Sequence, residues 1–172
     1  GRIVEMRGTR LAPTAPPVPP LGVDSAYPAD IRDYGRGGHG LFSTLDDYTK
    51  FAAALLAVSQ GDPDGPVAPR TLAAMTTNQA PEAALPLSID LPFETESPGL
   101  GGFGFGLGFG VDLGAKGRRL LGSPGCFGWS GAADTWFTVD PAAGFYAVVL
   151  AQNLDRPGAT TDFQTLLHAA VA

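Results

Sequence analysis

Between positions 103 and 111 every second residue is large and apolar, and every residue between them is glycine. Nothing else in the chain restricts its fold as much. Phe103, Phe105, Leu107, Phe109 and Val111 alternate with Gly104, Gly106, Gly108 and Gly110, a period of two that puts the side chains on one face of an extended strand and leaves the other as bare backbone. Glycine weakens a strand unless something must come close to it, so a helix or a substrate channel is expected against the bare face. Further strands are predicted over 119–122, 136–139 and 145–152. Asp140-Pro141-Ala142-Ala143-Gly144 reads as the hairpin turn that makes the last two antiparallel.

The rest of the chain supplies helices and connectors. Residues 2–7 alternate loosely and suit an edge strand, and the prolines of 13–20 must be extended because proline has no amide hydrogen to give. Segment 1–22 is therefore read as an edge strand and connector. Ser43 with Asp46 three residues on has the form of a capping box. Tyr48, Phe51, Ala52, Leu55 and Leu56 then recur at helical spacing, which predicts an amphipathic helix to near Gly61. Pro69 fits the first turn of a second helix carrying Leu72, Met75 and Thr76 on one face, so 43–77 is a helical block. An irregular rim loop bearing Glu94 and Glu96 is expected over 78–100, followed over 101–172 by antiparallel strands and a terminal helix. On that helix Phe163, Leu166, Leu167, Ala170 and Val171 share the face expected to cover the sheet, with Gln164 and His168 on the polar side. The order implies an α+β fold, an antiparallel β-sheet flanked by helices, as one unit over 1–172.

Composition narrows the function classes. The chain has 172 residues, 44% of them apolar, which is enough for one core. Seventeen acids against eleven bases give a net charge of −6 and no basic stripe, which argues against nucleic acid as a partner. No apolar run approaches the ~20 residues of a membrane span. One cysteine excludes an internal disulfide, and Cys126 beside Phe127 reads as a small buried residue. His39, in a glycine-rich turn without companions at ligand spacing, reads as a turn residue more readily than as a metal ligand. The opening Gly1-Arg2-Ile3-Val4, with no Met, suggests a piece of something longer.

The block that carries chemistry runs from Cys126 to Pro141, where a strand ends in Trp129-Ser130-Gly131 before a second strand begins near Thr135. It resembles the third active-site motif of serine hydrolases of the β-lactamase and penicillin-binding-protein superfamily. The motif there is Lys-Thr-Gly, Lys-Ser-Gly, His-x-Gly or, in esterase-like members, Trp-x-Gly. The glycine-rich run 101–111 and the segment 37–48 resemble the C-terminal half of the same family. The resemblance implies the C-terminal part of a β-lactamase/transpeptidase-like fold whose sheet is completed by N-terminal elements, as well as acyl-enzyme chemistry with no metal or organic cofactor. It also assigns roles. The backbone N–H of Ala132, after the motif glycine, would be one of two oxyanion donors. Gly131 would leave room for substrate along the edge, and Ser130 would bond to the catalytic network of the other half. Trp129 would bind substrate. Where a lysine there would hold a substrate carboxylate, tryptophan offers an apolar face and one N–H, which favours neutral small-molecule esters or amides over β-lactams.

The remaining motifs of that family are missing. A Ser-x-x-Lys nucleophile needs a serine three residues before a lysine, and Lys50 and Lys116 are preceded there by Asp47 and Leu113. Tyr27, Tyr34, Tyr48 and Tyr146 are followed two residues on by Ala29, Arg36, Lys50 and Val148, so there is no Tyr-x-Asn or Tyr-x-Ser either. The nucleophile is thus expected outside this chain, on an N-terminal half present in cis or as a second polypeptide. Two other readings stand beside this one. A non-catalytic binding or scaffold domain would lack the same motifs. Ser130 could also act as a nucleophile with Asp155 and His168, in the α/β-hydrolase order, although Gly128-Trp129-Ser130-Gly131-Ala132 is not a full Gly-x-Ser-x-Gly elbow.

Overall fold

The computed structural model describes residues 43–85, 87–89, 100–114, 122–131, 134–151 and 159–171. The expected edge strand and connector of 1–22, His39, Glu94, Glu96 and the strand expected at 119–121 lie outside the described residues. The first helix, α1, spans Leu45–Ser59. Its cap is Thr44, one residue later than the sequence suggested: Thr44 is extended and its Oγ1 accepts the Asp47 N–H at 3.1 Å. The Ser43 hydroxyl donates instead to the Thr44 carbonyl at 3.3 Å. Asp46 and Asp47 favour the positive end of the helix dipole and both pair with Lys50, at 2.7 and 3.2 Å. These groups are exposed and screened, so the pairs add little. Ala52, Leu55 and Val58 form the buried line, whereas Phe51 of the predicted stripe sits at the rim, 39% exposed. Helix α2, Pro69–Met75, starts on its proline as expected and buries Leu72.

Six strands form one antiparallel sheet in chain order: β1 Leu87–Ile89, β2 Leu100–Phe105, β3 Gly110–Asp112, β4 Phe127–Gly131, β5 Thr135–Asp140 and β6 Phe145–Val149. Strand β1 and the short 3₁₀ turn Glu82–Ala84 fall inside the segment read as an irregular loop. The alternating run is not one strand. It folds into a β2–β3 hairpin in which Phe103 pairs Asp112 and Phe105 pairs Gly110. Gly108, at φ 96°, takes the turn, and the Gly106 N–H closes it onto the Phe109 carbonyl at 2.8 Å. The close approach expected for the glycines is present. A Cβ on Gly106 would run into the Met75 carbonyl at the end of α2, which accepts the Leu107 N–H at 2.9 Å.

Alternation along β4 and β5 sorts the two faces of the sheet. Phe127, Phe137 and Val139 join Ala52, Leu55, Val58, Leu72, Phe109 and Val111 in the core under α1 and α2. Phe137 is its hub, with Tyr48 at 5.2 Å and Phe109 at 6.1 Å between ring centroids. Such edge contacts are worth about 0.5–1.5 kcal/mol beyond area burial. The opposite face carries Trp136 and Thr138 and is covered by α3, Ala159–Val171.

Helix α3 is rotated from its sequence expectation. Thr160 and His168 are buried and Gln164 and Leu167 half-buried on its inner side, while Phe163, which still touches the Trp136 ring, Leu166 and Val171 are 40%, 70% and 47% exposed. Polar contacts set the rotation. The Thr160 hydroxyl donates to the Asp134 carbonyl at 2.9 Å, and the His168 ring packs edge-on against Phe145 at 5.7 Å.

The β5–β6 hairpin turns where the sequence indicated, and Asp140 holds it. This residue is 1% exposed. Its Oδ1 accepts the Ala143 N–H at 2.9 Å and its Oδ2 the Ser123 N–H at 2.8 Å, tying the turn to the loop before β4. Burial pushes the carboxyl pKa up, but the hydrogen bonds from Ala143 and Ser123 outweigh it and hold the group below its ordinary value. A depressed folded value means that the contribution is present above the unfolded carboxylate pKa of about 4 and is lost as pH falls through the folded one. Asp140→Ala, which strands two amides, is expected to cost about 2–4 kcal/mol in denaturant unfolding near neutral pH. The loss should shrink as pH drops below about 4.

Candidate active site

The site is built at the open end of β4. All five β4 residues pair with β5, from Phe127 opposite Val139 to Gly131 opposite Thr135. On its other side β4 meets β3 only at Phe127 and Gly128. Among the described residues, then, the backbone edge of Trp129, Ser130 and Gly131 is unpaired toward β3, a row of donors and acceptors available to a ligand or another chain segment. Gly131 is exposed, and a Cβ there would collide with the Thr135 hydroxyl.

Trp129 is half-buried and serves two surfaces. Its ring packs edge-on against Phe105 at 4.8 Å and Phe103 at 5.8 Å, and the residue also lines a groove of about 250 Å³. Gly110 makes this packing possible, since a Cβ there would lie 3.1 Å from the indole. Ser43, just before α1, and Tyr48, in its first turn, line the groove together with Ser130, Gly131, Thr135 and Leu150. None of the lining residues is charged at neutral pH. Burial pushes the Tyr48 hydroxyl above its ordinary pKa, so it remains a protonated donor.

Ser43, Tyr48 and Leu150 were not singled out from sequence as site residues. The usable signal was a phenol on an otherwise apolar helical stripe, which puts a polar tip at the margin of a core.

A second cavity, of about 60 Å³, lies on the α3 side and is bordered by Gly122, Cys126, Trp136, Thr138, Gln164 and His168, with Ser130 on its rim. The Cys126 Sγ lies 2.9 Å from Thr138 Oγ1. His168, expected to be solvated, is 9% exposed. It therefore borders the same cavity as Ser130, while Asp155 lies outside the described residues. The elbow reading of Ser130 fails on topology. An elbow leads from strand to helix, whereas the chain after Ser130 returns as the antiparallel strand β5. No group of three His, Cys, Asp or Glu side chains able to hold a metal occurs among the described residues.

Ala132, the expected oxyanion donor, lies outside the described residues. Its flanks are defined: Gly131 ends β4, and the Asp134 N–H donates back to the Gly131 carbonyl at 3.1 Å.

The antiparallel sheet with its helices is an α+β fold consistent with a beta-lactamase-like domain. The family model described as Beta-lactamase matches residues 3–171, and the chain belongs to the beta-lactamase family. Serine-hydrolase-like function is a property of that family as a whole. The chain is also 34% identical over 121 residues to Protein Rv1367c and to the uncharacterized protein MT1414, from two strains of Mycobacterium tuberculosis. The match covers 69% of this chain and 29% of each relative, so the chain spans less than a third of the length of the curated relatives it matches.

Proposed function

We propose that the chain is the C-terminal part of an esterase-like serine hydrolase that cleaves neutral esters or amides through an acyl-enzyme, with its Ser-x-x-Lys nucleophile on sequence outside this chain. The observation that carries this reading is the unpaired Trp129-Ser130-Gly131 edge beside a groove with no charged residue in its described lining. A carboxylate-bearing substrate would find no counter-charge there, and a neutral acyl or aryl group would find Trp129, Tyr48 and Leu150. Ala132 gives its main-chain N–H to the developing oxyanion, Ser130 reaches the catalytic network of the other half, and Gly131 keeps the edge clear for substrate. Losing one such donor typically costs ~3 kcal/mol of barrier.

The nucleophile-bearing N-terminal half, in cis or as a second chain, is the partner in this reading. Two features support it. Strand β6 pairs only with β5 among the described residues. On the outer side of α3, Leu166 and Val171 are uncovered there as well.

In the full-length protein Ala132→Pro, which has no N–H to give, should lower kcat/KM for a neutral p-nitrophenyl ester by roughly a hundredfold or more. Ala132→Ser keeps the donor and should stay close to wild type. Near-normal turnover in a folded Ala132→Pro protein removes this strand from the mechanism. Trp129→Lys should move the ratio of β-lactam to ester kcat/KM toward the β-lactam, because a charge-assisted contact replaces an apolar one; an unchanged ratio discards the specificity argument.

The chain by itself should not label with a fluorophosphonate. Stoichiometric labelling at Ser130 would instead make this chain the carrier of the nucleophile. Absence of both upstream motifs from the full-length protein would identify a binding domain that has kept only the fold.

A further inference from the structure

We propose that Asp134 is a positioning residue whose carboxylate, clamped by the Thr160 hydroxyl, fixes the β4–β5 turn against the first turn of α3 and so sets the end of the Trp129-Ser130-Gly131 edge. Its chemical consequence rests on the esterase reading; the clamp itself stands on geometry. Among the described residues Asp134 is the one non-glycine residue with a left-handed backbone, at φ 59°. Glycine adopts that conformation freely and aspartate only with a penalty. An aspartate there therefore points to use of its side chain.

The use is visible. The Thr160 hydroxyl lies 2.9 Å from the Asp134 carbonyl and also contacts Oδ1, joining residues 26 apart in sequence. Thr160 is 6% exposed, so this hydrogen bond is shielded from water. The other carboxylate oxygen, Oδ2, is buried with no hydrogen-bond partner among the described residues, which leaves Thr160 as the described anchor of the carboxylate.

The turn is thus pinned twice. The Asp134 N–H bonds to the Gly131 carbonyl at 3.1 Å, and its side chain bonds to α3. The residue proposed to donate to the oxyanion lies in sequence between these two fixed points. A displacement of about 1 Å at such a position can cost up to about a hundredfold in rate.

The test uses four variants of the full-length protein. Asp134→Gly removes the side chain while relaxing the backbone, and Asp134→Asn keeps both the Oδ1 acceptor and tolerance of the left-handed region. Thr160→Val removes the hydroxyl at nearly constant shape, and Thr160→Ser restores it. Two readouts are taken: kcat and KM for a p-nitrophenyl ester, and hydrogen exchange at the Asp134 amide.

Asp134→Gly and Thr160→Val should lose about ten- to a hundredfold in kcat with KM changed by no more than about threefold. Asp134→Asn and Thr160→Ser should remain near wild type. Exchange at the Asp134 amide should speed up about tenfold in Thr160→Val and recover in Thr160→Ser.

Unchanged exchange in Thr160→Val overturns the clamp whatever the activity. Faster exchange with wild-type kcat in both Asp134→Gly and Thr160→Val overturns the positioning role. A full-length protein that turns over no ester sinks the esterase reading instead, and the exchange result alone then upholds or overturns the clamp.

Discussion

The register of β4 on β5 is the constraint on which the rest of the structure depends. Five consecutive pairs, from Phe127–Val139 to Gly131–Thr135, decide which side chains face α1 and which face α3. A slip of one residue would put the two strands out of phase, so that Phe127 could face the core only if Phe137 and Val139 turned away and Trp136 and Thr138 turned in. Two hydrogen-bonded turns close the ladder. Asp140 ties the far end of β5 to the loop before β4, and Asp134 ties the near end to α3. The open edge at Trp129 to Gly131 follows from the same register, because β3 is only long enough to reach Phe127 and Gly128.

Core and site share residues. Trp129 closes a ring cluster with Phe103 and Phe105 and is also a wall of the groove. Tyr48 packs on Phe137 and also lines that groove. Side chains held in a packed aromatic cluster have few rotamers open to them, so the groove wall is set before anything binds. That is the kind of rigid support a preorganised site needs. The α3 side is different in character. A polar line of Thr160, Gln164 and His168 faces the sheet with Leu167 half-buried beside it, and Leu166, Ala170 and Val171 are left outward. Such a helix is placed by hydrogen bonds and two ring contacts, Phe163 on Trp136 and His168 on Phe145, more than by a continuous apolar seam.

Much of this was legible in the chain. The α+β class, Pro69 as a helix start, the turn at Asp140 to Gly144 and the strand end at Trp129-Ser130-Gly131 all rest on local rules, and the structure has them there. Errors arose where one pattern admits two structures. Alternation between Phe103 and Val111 is equally compatible with one long strand and with a hairpin, since folding back at Gly106 to Phe109 preserves the period on either side. Ser43 and Thr44 both satisfy the chemistry of a cap, and only the Asp47 amide, bonded to Thr44, separates them. The five apolar residues of α3 predicted an inward face, but the rotation of that helix is set by Thr160 on Asp134 and by His168 on Phe145, contacts made across 26 and 23 positions of sequence.

The sequence by itself determined the main helices, the β5–β6 hairpin, the absence of a Ser-x-x-Lys in this chain and the position of the Trp-Ser-Gly motif, because each depends on residues within a few positions of one another. Only the tertiary structure decided that Ser43, Tyr48 and Leu150 converge on that motif, that His168 is buried, and that Asp134, in a left-handed conformation, meets Thr160. These depend on which distant side chains share a space. Packing settles that through sheet register and helix rotation, neither of which leaves a periodic trace in the chain.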